Sequence, residues 1–178
     1  MMVQNDTRGV IQVRVVVHTM GPAAPTTSDN HWSIYLLLPN NTGSVRVNMR
    51  ADFADPTGLL EWTNHTYIDV NSALSHWDFP VTAGIQVGHI ARLIHSLGRH
   101  KYEMSGGGSG CRYWVLVYPC QAMSVAYTLF RHTIIYDLGG ENYISGQASQ
   151  ELWPHLQFQY HASESPKPLD WVQGTFSS

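Results

Sequence analysis

From Val10 to His18 the chain alternates residue by residue: Ile11, Val13, Val15 and Val17 fall on one side, Gln12, Arg14 and His18 on the other. A period of two is that of a β-strand with one apolar and one polar face, so the fold must contain a sheet with a covered side. The same pattern predicts strands over 31–38 and 44–50, joined by Pro39-Asn40-Asn41-Thr42-Gly43, whose residue types close a hairpin. On the second of these, Val45, Val47 and Met49 point one way and Arg46, Asn48 and Arg50 the other. A further strand is predicted over 58–69, with Leu60, Trp62 and Ile68 on one face, and a short strand or turn near 79–82.

The period then changes. Over 83–97, Val87, Ile90, Leu93, Ile94 and Leu97 keep helical spacing, with Gln86, His89, Arg92 and Ser96 on the other side and Gly98 placed as a left-handed cap. The tract Ser105-Gly106-Gly107-Gly108-Ser109-Gly110 reads as a loop opening a second helix at Cys111, which runs through Tyr118 and is broken at Pro119. Residues 123–131 read as helix or strand, 142–150 as a short helix, and 156–161 and 170–176 as closing strands. Strands, then helices, then strands predict an α+β fold: an antiparallel sheet with one or two helices packed on one face. A length of 178 residues suits one core, so 1–178 is read as a single domain.

Composition removes several function classes. Charged residues make up 13% of the chain, the formal net charge is −3, and the ten Lys and Arg form no cluster, which argues against nucleic acid. The longest apolar runs, 15–17 and 34–39, are far too short to span a membrane. The first ten residues have no apolar core of a signal peptide, and Cys111 and Cys120 read as reduced thiols, so a cytoplasmic location is expected. The ten histidines match no metal spacing, and the Gly106–Gly110 loop lacks the Lys-Ser/Thr ending of a phosphate loop. Asp52, Asp55 and Glu61 read as solvated. Neither metal nor cofactor is expected; a small apolar molecule is the expected partner, and a homodimer stays open.

Chemistry concentrates in Gly108–Trp114. A cysteine opening a helix sits among unpaired N–H groups at the positive end of the helix dipole, which favours thiolate; Arg112 adds to this. A thiolate nucleophile needs a histidine and an orienting polar group. His31 shares the parity of Ser33 and Tyr35 and is expected to project toward that helix, with Asn48 diagonal to it on the paired strand. The alternative for Cys111 is core packing. A catalytic pocket without a nucleophile draws on donors His31, Tyr35, Tyr113 and Arg112, with Trp32 and Trp114 as walls.

With His31-Trp32-Ser33-Ile34-Tyr35 on one strand, Val45-Arg46-Val47-Asn48-Met49 on the next and Cys111 opening a helix, residues 30–118 resemble the circularly permuted NlpC/P60 fold, which includes the lecithin-retinol acyltransferase-like enzymes. That resemblance implies His31 as base, Asn48 as orienter and Cys111 as nucleophile of a thiol hydrolase or acyltransferase. The chain departs from it in carrying Asn48 where a His is more usual, and Arg112 after the cysteine. Gly98-Arg99-His100-Lys101-Tyr102, Gly110-Cys111-Arg112-Tyr113-Trp114 and Gln173-Gly174-Thr175-Phe176, in that order, resemble a family of small fungal proteins of unassigned function. Small fungal proteins of this kind include cofactor-free cyclases and isomerases of secondary metabolism, Diels–Alder types among them. The leading expectation is therefore a cofactor-independent cyclase or isomerase on an apolar natural-product-like substrate. The alternatives are the Cys-His thiol enzyme and a non-catalytic small-molecule-binding or interaction module.

Overall fold

The N-terminal alternation becomes an interior strand in the computed structural model, which describes residues 2–19, 30–51, 56–104, 111–115, 133–169 and 175–176. Strands β1 (Gln12–His18), β2 (His31–Leu37), β3 (Ser44–Arg50), β4 (Leu59–His65) and β5 (Ala73–Pro80) form a five-stranded sheet in the order β4-β3-β2-β1-β5. Every neighbouring pair is antiparallel. The β2–β3 connection is a 3₁₀ turn over Pro39–Asn41 in which Asn40 and Asn41 take φ of 56° and 54°, a region that Asn tolerates better than most residues.

Parity divides the sheet into two faces. Val13, Val15, Val17, Trp32, Ile34, Leu36, Val45, Val47 and Met49 point to the main core. The described helices close that core from one side. Helix α1 (Val87–Ser96) buries Val87, Ile90, Ala91 and Ile94 in it. After it, β6 (Tyr102–Glu103) leads to α2 (Cys111–Val115), which packs on β2, and then α3 (Ile134–Gly140) and α4 (Ala148–Leu156) pack on each other. The short strands β7 (Phe158–Gln159) and β8 (Lys167–Pro168) form a ribbon, and β9 (Thr175–Phe176) pairs with β6. The architecture is α+β. No helix among the described residues is long and apolar enough to cross a membrane.

Several boundaries differ from the sequence reading, each for a local reason. Helix α1 starts at Val87, not Ala83: Gln86 is extended, and its N–H donates to His89 Nδ1 at 3.2 Å. The helix ends at Ser96, leaving Leu97 41% exposed. Strand β4 ends at His65, so Ile68 joins the opposite face from Leu60 and Trp62. The short strand near 79–82 is a full strand, β5, which flanks β1 at the sheet edge; Ser75 on its inward face blurs the apolar alternation. Among the described residues there are four α-helices where one or two were expected, and residues 142–147 precede α4. Leu156 ends that helix, leaving only Phe158–Gln159 extended. The readings for 105–110, 116–132 and 170–174 lie outside the described residues.

Candidate functional site

The face of the sheet away from the helices gathers most of the polar candidates. Antiparallel register places Arg14, Tyr35, Arg46 and Thr63 in one row across β1–β4. The two-residue period puts His18, His31, Ser33, Asn48 and Glu61 beside that row. Alternation alone would turn these side chains to water. Instead the segment after β4 folds over them: Ile68, Val70 and Ala73 pack on Val16, Tyr35 and Leu37. Arg14 Nη1 donates to Ile68 O at 3.0 Å, and Ser44 Oγ donates to Tyr67 O at 2.8 Å. Ser33, His18 and Asn48 are consequently 0%, 4% and 6% exposed.

Burial disfavours the protonated form of three histidines in this layer, His18, His31 and His65. His18 lies between Ser72 Oγ on Nδ1, at 2.9 Å, and Ser33 Oγ on Nε2, at 2.6 Å. Burial first, then the Arg46 charge, lowers its pKa to about 3. Burial likewise lowers the pKa of His31, opposed by its bond to Asn48, and that of His65, reinforced by Arg46.

A chain of hydrogen bonds orients His31. Arg50 Nε donates to Glu61 Oε1 at 2.6 Å, and Asn48 Nδ2 donates to Glu61 Oε2 at 3.3 Å. A carboxylate only accepts, so the Asn48 amide must turn its Oδ1 to His31, whose Nε2 lies 2.5 Å away. In the neutral ring Nε2 therefore carries the proton and Nδ1 a bare lone pair. Among the described residues no hydrogen bond reaches Nδ1, and His31 remains partly exposed.

Arg46 stands in the same layer. Its Nε is enclosed with no hydrogen-bond partner among the described residues. Its Nη2 comes no nearer than 3.4 Å to Asn48 Oδ1, and its guanidinium carbon lies 5.9 Å from the Tyr35 ring centre. A bare imidazole lone pair beside a guanidinium suits proton abstraction from a carbon acid.

The residues proposed from the sequence divide between the two faces. His31, Asn48 and Tyr35 meet in the polar layer, with His31 turned away from the helices, contrary to the sequence reading; strand parity gives the helix side to Trp32. Trp32 is fully buried, stacked on Trp77 with ring centres 5.5 Å apart. Trp114 is also fully buried, its Nε1 donating to Arg99 O at 2.8 Å. Both are core packing where pocket walls were expected. Tyr113 lies in the core as well, and Arg112 Nη1 donates to Leu156 O at 3.0 Å with its guanidinium 5.8 Å from the Trp32 ring.

Cys111 is 9% exposed and sits where the β2–β3 ladder has ended, beyond the Ile34–Val47 pair. Its Sγ accepts the Trp32 N–H at 3.4 Å and lies 3.9 Å from Asn30 O. Among the described residues its sulfur contacts lead to the Trp32 and Asn30 backbone on the helix side, while His31 bonds Asn48 on the other face. His18, Arg46 and Glu61 were missed as site residues. The available signal was the recurrence of polar residues at i, i+2 on the outward parity of four successive strands. Their burial depends on residues 66–73, which the strand pattern says nothing about.

Among the described residues no group of three or more His, Cys, Asp or Glu could hold a metal ion. A family model described as a domain of unknown function (DUF7770) matches residues 13–125 and 129–177. No curated protein and no solved structure matches the chain.

Proposed function

The chain belongs to the DUF7770 family, whose description carries no activity, and from the far-face geometry we propose a cofactor-independent enzyme of isomerase or cyclase type acting on a small carbonyl compound. The observation that carries the proposal is the bare Nδ1 of His31, held neutral and aimed by Asn48, Glu61 and Arg50. In the proposed step Nδ1 takes a proton from a carbon next to the carbonyl, and the C–H electron pair moves onto oxygen as an enolate. In a β,γ-unsaturated carbonyl compound the resulting dienolate then takes the proton back at the γ carbon, which moves the double bond into conjugation. Glu61, one amide removed, favours the transient imidazolium. A positioned base of this kind contributes about 10²–10⁴-fold to rate. The resemblance to small fungal proteins favours a natural-product-like substrate, and a cytoplasmic location belongs to the same proposal.

Solvent-deuterium incorporation into a panel of ketones, 2-oxo acids and β-dicarbonyl compounds tests this. Wild type should exchange at least one member, and His31→Gln should slow that exchange by about 100-fold. Equal rates in the two proteins, or no exchange across the panel, would overturn the reading.

The Trp32 N–H on Cys111 Sγ favours a second reading, thiol chemistry, because a donor to sulfur stabilises thiolate. Cys111→Ser separates the two: it should leave deuterium exchange intact, whereas a thiol hydrolase would lose its ester hydrolysis. Alkylation of Cys111 with an apparent pKa well below ~8.5 is the supporting result for the thiol reading.

A further inference from the structure

We propose that strand β4 pairs antiparallel with β4 of a second copy of this chain, joining two five-stranded sheets edge to edge across a two-fold axis at Thr63. The sheet ends on β4 at one side and β5 at the other, and the two edges differ. A free edge presents a row of backbone N–H and C=O groups, which proteins ordinarily blunt with Pro, Lys, a bulge or a covering segment. β5 has several of these devices. Its register with β1 shifts beside His18, it ends on Pro80, and the ring of His155 from α4 stacks on Trp77 at 4.7 Å. β4 has a plain edge. Leu59–His65 contains no Pro, Lys or Gly, and its ladder with β3 runs unbroken from Arg50–Leu59 to Ser44–His65. Its single charge, Glu61, is already paired with Arg50 at 2.6 Å. None of its residues is buried, and among the described residues no backbone hydrogen bond reaches its outer side.

The side chains of β4 match their own reverse in one register. A two-fold axis perpendicular to the sheet keeps like parity together, so each possible register sets one residue opposite its own copy. Centred on Glu61, the pairing would bring two carboxylates face to face, which is unfavourable. Centred on Trp62, it would set Leu59 against the partner's His65 and Leu60 against the partner's Asn64, apolar against polar. Centred on Thr63, it sets Glu61 opposite the partner's His65 and the two threonines opposite each other. A carboxylate accepts and an imidazole N–H donates, so that pair is complementary, and the symmetry makes it twice. The same register carries Leu59, 39% exposed, toward the partner's Tyr67, 45% exposed, whose ring lies 4.7 Å from that of His65 in the same chain. Apolar side chains that one copy leaves in water are thereby covered. One strand per copy is a small contact, so the dimer dissociates in the micromolar range. The pairing does not depend on the proton-transfer reading.

Sedimentation velocity of the whole protein tests the interface. Wild type should pass from monomer to dimer as its concentration crosses the micromolar range. Thr63→Lys sets two ammonium groups opposite each other at an exposed position and should weaken the dimer by about tenfold or more, with an unchanged circular dichroism spectrum. Cysteine cross-linking with a mild oxidant tests the register, each variant against wild type oxidised alongside. Thr63→Cys should give a covalent dimer, because the axis sets its two copies side by side. Leu59→Cys should not, since its copies stand about 26 Å apart at ~3.3 Å per residue. A wild type that stays monomeric at hundreds of micromolar, or a dimer unaffected by Thr63→Lys, would overturn the interface. A cross-link through Leu59→Cys, or none through Thr63→Cys in a protein that sediments as a dimer, would overturn the register.

Discussion

A histidine wedged between two hydroxyls and closed off from water gains nothing from a second proton. His18 is in that position, with a pKa of about 3 against an ordinary 6.5, burial being the chief cause. The folded value lies below the unfolded one, so the unfolded chain binds the extra proton first. The stabilisation is complete above the unfolded pKa and is lost as pH falls from there toward the folded value. His31 and His65 are lowered too, and add in the same direction. Wild type should therefore lose roughly 2 kcal/mol through His18 between about pH 7.5 and about pH 5, and more as pH falls on toward about 3. Urea midpoints at those pH values would show it. His18→Gln should be less stable at neutral pH and less sensitive to acid; a wild-type midpoint indifferent to pH would contradict the account. The sequence shows His18 only as the polar end of an alternating strand. It does not show that Ser33 and Ser72 lie on either side, because Ser72 arrives from a turn 54 residues away.

At the scale of elements, α1 depends on the N-terminal segment as much as on its own spacing. The first amides of a helix have no partners within it. Here Val87 N–H donates to Arg8 O at 3.0 Å and Gly88 N–H to Asp6 O at 2.8 Å. That approach is close enough that a Cβ on Gly88 would lie 2.7 Å from the carbonyl oxygens of both Asp6 and Gln4. Gly→Ala inside an exposed helix ordinarily stabilises by about 1 kcal/mol. Gly88→Ala should do the reverse, costing about 1–3 kcal/mol by overpacking, as read by chemical denaturation; a gain in stability would show that the N-terminal segment does not hold the helix start. Elements with a clean period were legible: the β2–β3 hairpin falls within one residue of its expected bounds, and the body of α1 lies where its apolar spacing placed it. Helices α3 and α4 were not. The first opens on two β-branched residues and closes on Gly139-Gly140, while the second carries Pro154 and buries a small face that includes Ala148 and Ser149.

Across the whole molecule, Trp114, Asp137 and Phe176 converge on Arg99. Its carbonyl accepts Trp114 Nε1–H at 2.8 Å, its guanidinium lies 5.2 Å from the Phe176 ring centre, and Tyr102–Glu103 pairs with Thr175–Phe176. The guanidinium also meets Asp137 of α3, both side chains being more than nine-tenths buried. Removing one member of such a pair strands a buried charge, so Asp137→Ala should cost about 3–5 kcal/mol, whereas Arg99→Met with Asp137→Leu should recover much of that loss. Denaturation midpoints for the single and double variants check it; additive losses would deny the coupling. Local periodicity by itself determined that this chain makes an antiparallel sheet, which residues face its core and where the first helix lies, because those choices depend on neighbours within a few residues. Only the tertiary structure decided that the opposite, polar parity is covered as well, that β5 closes on β1 and that His31 turns toward Asn48 and away from Cys111. Those outcomes depend on where distant segments come to rest, and a strand's alternation states only which side chains share a face, not what will cover them.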